Sequence, residues 1–273
     1  MKSLSTLLHL DGAFDPSHKL VTSPFFSPRV LATIRLAMAC YTFTVLVFSI
    51  VWGIVVQKDA AGFLSYFTHL TYSGLCGYFF ASGLQTALYA RHGQKAYPLQ
   101  QWAKPLRFLH LLLLSTITVF PILVSIVFWG VIADASTFDN RFDTWDAISV
   151  HLLNSVFALF EILLTNTPVA SWVLLPFGLI ILSCYVGVIY ITYATQGFYA
   201  YSFMDPAHGH VRLALSILGV GVAECVIFAV IHGIVLLRQL AVAHFFPASR
   251  TPDSDANDAN SLSSLWLEKG ATV

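Results

Sequence analysis

The sequence predicts an all-α integral membrane protein, a bundle of about six transmembrane helices with both termini in the cytoplasm. Of its 273 residues, 57% are hydrophobic and only 10% are charged, whereas a soluble domain carries about a quarter charged residues. Six apolar runs are each long enough to cross a hydrocarbon core about 30 Å thick as a helix that rises about 1.5 Å per residue. The basic residues are unequally divided between the two ends of these runs.

The six apolar runs follow one another with short connections, so little chain remains for a soluble domain. Residues 1–29 contain prolines and charges but no apolar core, and we expect a cytoplasmic N-terminal segment there rather than a cleaved signal. Residues 30–240 are predicted to form the transmembrane domain, and the polar, acidic residues 241–273 a disordered cytoplasmic tail. The predicted spans are approximately 30–56, 63–90, 106–133, 146–165, 172–195 and 212–238.

The placement of basic residues predicts the orientation. Six spans put both termini on one side, and the opposite side has only Lys58, Arg141 and Arg212. By the positive-inside rule, the termini are therefore cytoplasmic. No basic arm suggests nucleic-acid binding. The other basic residues, all assigned to the cytoplasmic side, are Lys2, Lys19, Arg29, Arg35, Arg91, Lys95, Lys104, Arg107, Arg238, Arg250 and Lys269.

The fourth span carries an unusual set of polar groups. Ionisable side chains inside a bilayer usually face the bundle interior, and small polar residues hydrogen-bond between helices. At helical spacing the polar and small residues of this span fall within a sector of about 120°, which predicts an inward face. For Glu161, a bond to another helix and a place at the deep end of a tunnel between the helices both remain open. The stretch "VHLLNSVFALFEILLT" contributes His151, Asn154, Ser155, Ala158, Glu161 and Thr165 to this face.

Thr68 and His151 are predicted to lie at the same depth. Each is about five residues into a span that enters from the non-cytoplasmic side, which places both about 7–8 Å below that interface. A hydroxyl beside an imidazole is the minimal arrangement for nucleophilic catalysis, because the imidazole takes the proton as the oxygen attacks a carbonyl. Thr71 lies on nearly the same face, half a turn deeper, and remains an alternative nucleophile.

Three segments suggest a family. They are "YFTHLTYSGL" at 66–75, "HLLNSVFALFE" at 151–161 and "YAYSFMDP" at 199–206. From about residue 30 to residue 240 the chain resembles the androgen-induced-gene family of six-span membrane threonine hydrolases, and within it the fungal members. The resemblance implies a threonine nucleophile and a histidine that together cleave fatty acid esters of hydroxy fatty acids. Transferred to this chain, these roles fall on Thr68 and His151.

The predicted function is therefore lipid ester hydrolysis inside a membrane, with a lipid as the substrate. Asn154, one turn from His151, is a candidate supporting donor for the oxyanion, and Glu161 is a second supporting residue. We expect the endoplasmic reticulum or another endomembrane as the location. No cofactor or metal is expected, because the four cysteines lie far apart and match no metal or disulfide spacing. These are Cys40, Cys76, Cys184 and Cys225.

Two other classes of function remain open. A two-haem membrane cytochrome would need two histidine pairs at opposite depths, such as His69 with His151 and His110 with His232. A transporter or a scaffold without catalysis is the other class, in which the intramembrane acids Glu161 and Glu224 could mark a proton path.

Overall fold

The computed structural model describes residues 4–8, 10–58 and 61–245, and all of its regular secondary structure in these ranges is helical. The predicted all-α class is therefore confirmed. Contacts divide the chain into two units, Met1–Leu236 and Leu237–Val273, and every cavity discussed below lies in the first unit. The six long helices are α1 (Pro28–Gln57), α2 (Phe67–Arg91), α3 (Lys104–Ile132), α4 (Arg141–Leu164), α5 (Leu174–Gln196) and α6 (His210–Phe245).

Five of these helices, all except α2, are long and apolar enough to cross a bilayer. Their outward side chains include exposed apolar groups such as Val55, Val131 and Val211. A water-soluble monomer rarely exposes so much continuous apolar surface, and the chain is thus a multi-pass membrane protein.

Helix α2 coincides with the second predicted span but is less apolar than the other five. It has 25 residues and buries polar side chains such as Ser82, Gln85 and Thr86. It packs mainly against α1 and α3. A helix packed between neighbours has no need of an apolar surface on every side, because polar side chains such as Gln85 and Thr86 hydrogen-bond inside the bundle.

Local sequence signals explain where several helices begin and end. The Ser27 side chain accepts a hydrogen bond from the Val30 N–H, and Pro28 occupies the first turn of α1, where its missing N–H costs nothing. The Asn140 side chain caps α4 by accepting from the Asp143 N–H at 2.8 Å. Helix α5 ends at Gly197, whose φ of 79° lies in the left-handed region that favours glycine.

Three helices contain a π-helical turn. These turns are Gly53–Gln57 at the end of α1, Phe128–Ile132 at the end of α3 and Ser149–Leu153 within α4. Isolated π turns are found frequently at functional sites, because each one changes the direction in which the following side chains point. The turn in α4 contains His151.

The N-terminal segment folds against the bundle. Leu10, Phe14 and Leu20 are buried and belong to the main apolar core. The Tyr97 hydroxyl donates to the Asp15 carboxylate at 2.7 Å, which fixes the segment to the connection between α2 and α3. Of the predicted tail at 241–273, residues 246–273 lie outside the described residues.

A buried ion pair joins α1 to α4. The Arg35 guanidinium binds Glu161 through two parallel bonds, Nε to Oε1 at 2.7 Å and Nη2 to Oε2 at 2.8 Å, and neither side chain is exposed. Arg35 Nη1 also donates to the Leu20 carbonyl and to the Thr86 hydroxyl. The Tyr78 hydroxyl donates to Glu161 at 3.3 Å. Such complete pairing is what allows a charge to remain in the interior.

Candidate functional site

Thr68 lies in the first turn of α2. This helix begins after Tyr66, which is extended and provides no side-chain cap. The first N–H groups of a helix have no partner within it. The Phe67 N–H donates instead to the Tyr185 hydroxyl of α5 at 3.0 Å. Thr68 therefore lies at a helix end whose N–H groups point away from the helix, towards neighbouring side chains.

His151 is held by its ring face and its backbone. The imidazole stacks on the Phe128 ring with centroids 3.5 Å apart, and the His151 carbonyl accepts from Trp129 Nε1 at 3.2 Å and from the Ser125 hydroxyl. Its Nδ1 is buried and has no hydrogen-bond partner in the described part of the chain. Because Nδ1 is buried, it is closed to a ligand in the cavity.

Thr68 and His151 line the same cavity. Its volume is about 710 Å³, and it lies between α2, α3, α4, α5, α6 and the connection from α5 to α6. Most of its walls are aliphatic or aromatic, as is usual for a site that binds an apolar ligand. Its polar side chains are Thr68, His151, Ser183, Tyr185, Tyr201 and, as a weak donor, Cys225.

No hydrogen bond joins Thr68 to His151 among the residues that the structure describes. Catalytic hydrogen bonds are often long without substrate and tighten when the complex forms. The shared cavity brings the hydroxyl and the imidazole to one ligand-sized space.

Tyr201 is a part of this cavity that reasoning from the residues did not single out. It lies in the connection between α5 and α6, and its phenol oxygen faces the hydroxyls of Thr68 and Tyr185 and the N–H groups of Phe67 and Thr68. Burial raises the pKa of the Tyr201 phenol, and these hydrogen bonds only partly offset that effect. The phenol therefore stays neutral beside the Thr68 hydroxyl. Its position in "YAYSFMDP", the third family-like segment, was the available signal.

Thr71 does not line the cavity of Thr68 and His151. Its hydroxyl donates to the carbonyls of Phe67 and Thr68, both at 3.0 Å. It lines a smaller cavity of about 300 Å³, which contains neither Thr68 nor His151. The alternative nucleophile is therefore a backbone-bonded threonine on a different side of α2.

Asn154 is buried but does not line the cavity of Thr68 and His151. Its Oδ1 accepts from the Ser155 N–H at 2.6 Å and from the Ser125 hydroxyl at 3.2 Å. Because Ser125 also binds the His151 carbonyl, Asn154 supports the π turn that carries His151. The contact observed for Asn154 is thus with the backbone turn that carries the imidazole, outside the cavity lining.

Glu161 is also remote from the cavity. Of the two roles open from the sequence, the structure shows the bond to another helix, because both carboxylate oxygens bind Arg35. Arg35 had been assigned only to the basic residues of the cytoplasmic side. Nothing in the spacing of the two residues along the chain indicates that they pair.

The histidine pairs of the cytochrome hypothesis do not share cavities. His69 stacks on Phe63, and its Nδ1 contacts the Phe63 carbonyl at 2.8 Å in a cavity separate from that of His151. His110 stacks on Tyr78, whereas His232 Nδ1 contacts the Ala170 carbonyl at 3.1 Å. Among the described residues, no three His, Cys, Asp or Glu side chains are grouped closely enough to hold a metal ion.

Glu224 is the second buried acid of the bundle. Its Oε2 has no partner in the described part of the chain, and its Oε1 approaches Gly178 so closely that a Cβ there would lie 2.8 Å away. Because Glu161 is already paired, Glu224 is the acid that a proton-path hypothesis would use. It lines neither of the cavities described above.

Comparison with protein-family models, with curated proteins and with solved structures finds no match to this chain.

Proposed function

We propose that this protein is a membrane-embedded lipid ester hydrolase in which Thr68 is the nucleophile and His151 the general base. One observation carries the proposal. Thr68 and His151 line one apolar cavity of about 710 Å³, while Thr71 lines another. The cavity offers an apolar chain a place to bind, and the two polar groups offer a reaction at one point along it.

The first step forms an acyl-enzyme. The Thr68 hydroxyl oxygen attacks the ester carbonyl carbon while His151 Nε2 takes the hydroxyl proton, directly or through one water molecule. When the tetrahedral intermediate collapses, the ester C–O bond breaks. His151 then returns the proton to the leaving alcohol oxygen, and the acyl group remains on Thr68.

The second step releases the acid. A water molecule gives a proton to His151 and attacks the acyl carbon. The bond between that carbon and the Thr68 oxygen breaks, and the threonine oxygen takes the proton back from His151. The products are one alcohol and one carboxylic acid, and the enzyme returns to its starting state.

The start of α2 supports the negative charge of the intermediate. Its N–H groups carry the positive end of the helix dipole, and donors fixed before the reaction stabilise an oxyanion at little cost of rearrangement. The Phe67 N–H at present donates to Tyr185, and the neutral Tyr201 phenol lies beside Thr68. These groups take the role that the sequence had suggested for Asn154.

The proposal includes the architecture and the substrate class suggested by the family resemblance. We propose that α2 is a sixth span, that both termini are cytoplasmic, and that the membrane belongs to the endoplasmic reticulum or another endomembrane. The proposed substrate is a fatty acid ester of a hydroxy fatty acid. Its apolar chains match walls built largely of Leu, Val, Ile and Phe side chains.

Labelling by a fluorophosphonate probe tests the mechanism. Membranes with equal amounts of wild type, Thr68→Ala, His151→Ala and Thr71→Ala are incubated with the probe. We expect wild type and Thr71→Ala to be labelled and the other two variants to remain dark. Peptide mapping of the labelled wild type should place the adduct on Thr68.

Hydrolysis of a hydroxy fatty acid ester by the purified variants then tests the substrate class. Loss of labelling in Thr71→Ala but not in Thr68→Ala would overturn the choice of nucleophile. Wild type that neither reacts with probes of two sizes nor cleaves the ester would overturn the hydrolase proposal.

A further inference from the structure

A further cavity lies next to that of Thr68 and His151 but shares no residue with it. Its volume is about 500 Å³, and it is bounded by the C-terminal end of α1, the start of α2, the start of α4 and the connection after α5. Tyr66 and His69 line this cavity, whereas Phe67 and Thr68 line the first. We call it the acidic cavity.

The acidic cavity is named for two carboxyl side chains. Asp143 and Asp146 line it, and none of the described residues that line it is a lysine or an arginine. Among the described residues neither carboxylate forms an ion pair. Asp146 accepts from the Ser49 hydroxyl at 2.6 Å, and Asp143 contacts Asn140. Two carboxylates that share a partly buried space repel each other and favour a bound positive charge.

Four aromatic rings complete its walls, namely those of Phe63, Tyr66, Phe142 and Phe198. Stacking holds two of them in place. Phe63 lies on His69 with centroids 3.9 Å apart, and Phe142 lies on Trp52 at 4.5 Å.

Gly62 lets the fourth ring close the wall. A Cβ at this position would lie 2.8 Å from the Phe198 ring. Any larger residue would push the ring away, so the close approach of Phe198 depends on glycine at 62.

Carboxylates combined with aromatic walls favour one class of ligand. Hard metal ions such as Ca²⁺ take six or more oxygen ligands in a compact shell, and the acidic cavity offers two carboxylates among phenyl rings. A quaternary ammonium group suits it better, because aromatic faces attract a weakly hydrated cation and carboxylates neutralise its charge. We propose that the acidic cavity binds a quaternary ammonium cation, as a choline headgroup of a lipid or as a free small molecule.

Isothermal titration of the purified full-length protein in a neutral maltoside detergent tests this site. The probes are tetramethylammonium, choline, and the uncharged carbon analogue of choline, dimethylbutanol. Potassium chloride at equal concentration controls for ionic strength. We expect both cations to bind and dimethylbutanol to bind about tenfold more weakly or not at all, since it lacks the charge that the rings and carboxylates recognise.

Three variants locate the binding. Asp146→Asn removes one charge, and Phe142→Leu keeps an apolar wall but removes an aromatic face; each should weaken choline binding about tenfold. The matched control is Asp139→Asn, an exposed acid outside the cavity, which should leave binding unchanged. Equal unfolding temperatures show that the variants fold. Unchanged binding in both Asp146→Asn and Phe142→Leu, or equal binding of dimethylbutanol and choline, would overturn the proposal.

Nanodiscs distinguish the two sources of the cation. If choline binds in phosphatidylglycerol discs but no longer in phosphatidylcholine discs, the lipid headgroup already occupies the acidic cavity. If choline binds equally in both, the ligand is a free cation. No binding in detergent or in either disc would refute the site. None of these measurements depends on ester hydrolysis.

Discussion

The imidazole of His151 lies flat on the phenyl ring of Phe128, with centroids 3.5 Å apart and ring planes 3° apart. In catalytic triads a third group orients the histidine through its second nitrogen. Here that nitrogen, Nδ1, is buried without a partner among the described residues. The orientation of the proposed base therefore comes from stacking and from the backbone contacts of its π turn.

Replacing Phe128 with alanine should slow acylation without removing any reacting group. The imidazole ring of His151 would lose its support. A displacement of a catalytic group by about 1 Å can lower the rate about 100-fold. Single-turnover acylation by an ester substrate measures this step. Phe160→Ala is the control, since Phe160 stacks on Phe26 and lies outside the cavity. Equal rates in Phe128→Ala and wild type would show that stacking does not position His151.

Replacing Glu161 with glutamine should strongly destabilise the fold. Arg35 would keep its charge in a fully buried position without a counter-charge, at a cost of about 3–5 kcal/mol. Unfolding in mixed micelles measures the loss. Lys104→Gln is the control, because it breaks an exposed pair with Asp11 and should change little. The double variant Arg35→Met with Glu161→Met should recover part of the lost free energy of unfolding, because no charge is left unpaired. A double variant as unstable as Glu161→Gln would contradict this reasoning.

Alanine at Gly83 should separate α1 from α2. The added Cβ would lie 2.9 Å from the Leu36 side chain and 3.3 Å from its backbone nitrogen, and the backbone has little freedom to move away. We expect a loss of about 1–3 kcal/mol, as is usual for overpacking. Gly77→Ala on the same helix is the control, because nothing lies within 4 Å of its Cβ. Similar unfolding temperatures for the two variants would show that the contact is loose.

The half-buried Tyr201 side chain predicts a pH dependence at alkaline pH. Burial raises the pKa of this group in the folded protein above its ordinary value of about 10. Because the folded state holds the proton more tightly, the stabilisation is present below about pH 10 and is lost as the pH rises towards the folded pKa.

Unfolding temperatures from pH 7 to pH 11 measure this effect. Above about pH 10 the unfolding temperature of wild type should fall faster than that of Tyr201→Phe. Tyr193→Phe, which removes an exposed phenol, should follow wild type. Parallel profiles for wild type and Tyr201→Phe would show that this phenol is not buried.

Helix positions were predictable because they depend on composition and length. The apolar runs locate α1 and α3–α6 within a few residues, except at the C-terminal end of α6, which continues to Phe245 beyond the predicted end at 238. The rise of a helix predicts a common depth for Thr68 and His151, and the structure shows that both residues line one cavity. The membrane orientation and the reaction itself stay predictions.

Pairings between distant segments were not predictable. Arg35 and Glu161 are 126 positions apart, and no local pattern connects them. Tyr201 reaches Thr68 only because the connection after α5 folds back over the start of α2. The inward face of α4 was derived from a uniform α-helical period, and the π turn at Ser149–Leu153 interrupts that period.

The π turn in α4 makes the number of residues in the first half of this helix important. A π turn holds one residue more than the α turn that it replaces, and each residue of an α-helix turns the next by about 100°. Deleting Val150 would therefore rotate His151 away from the cavity while every side chain proposed to react remains present. The number of residues between Asn140 and Asn154 is as much a requirement of this site as the identity of its histidine.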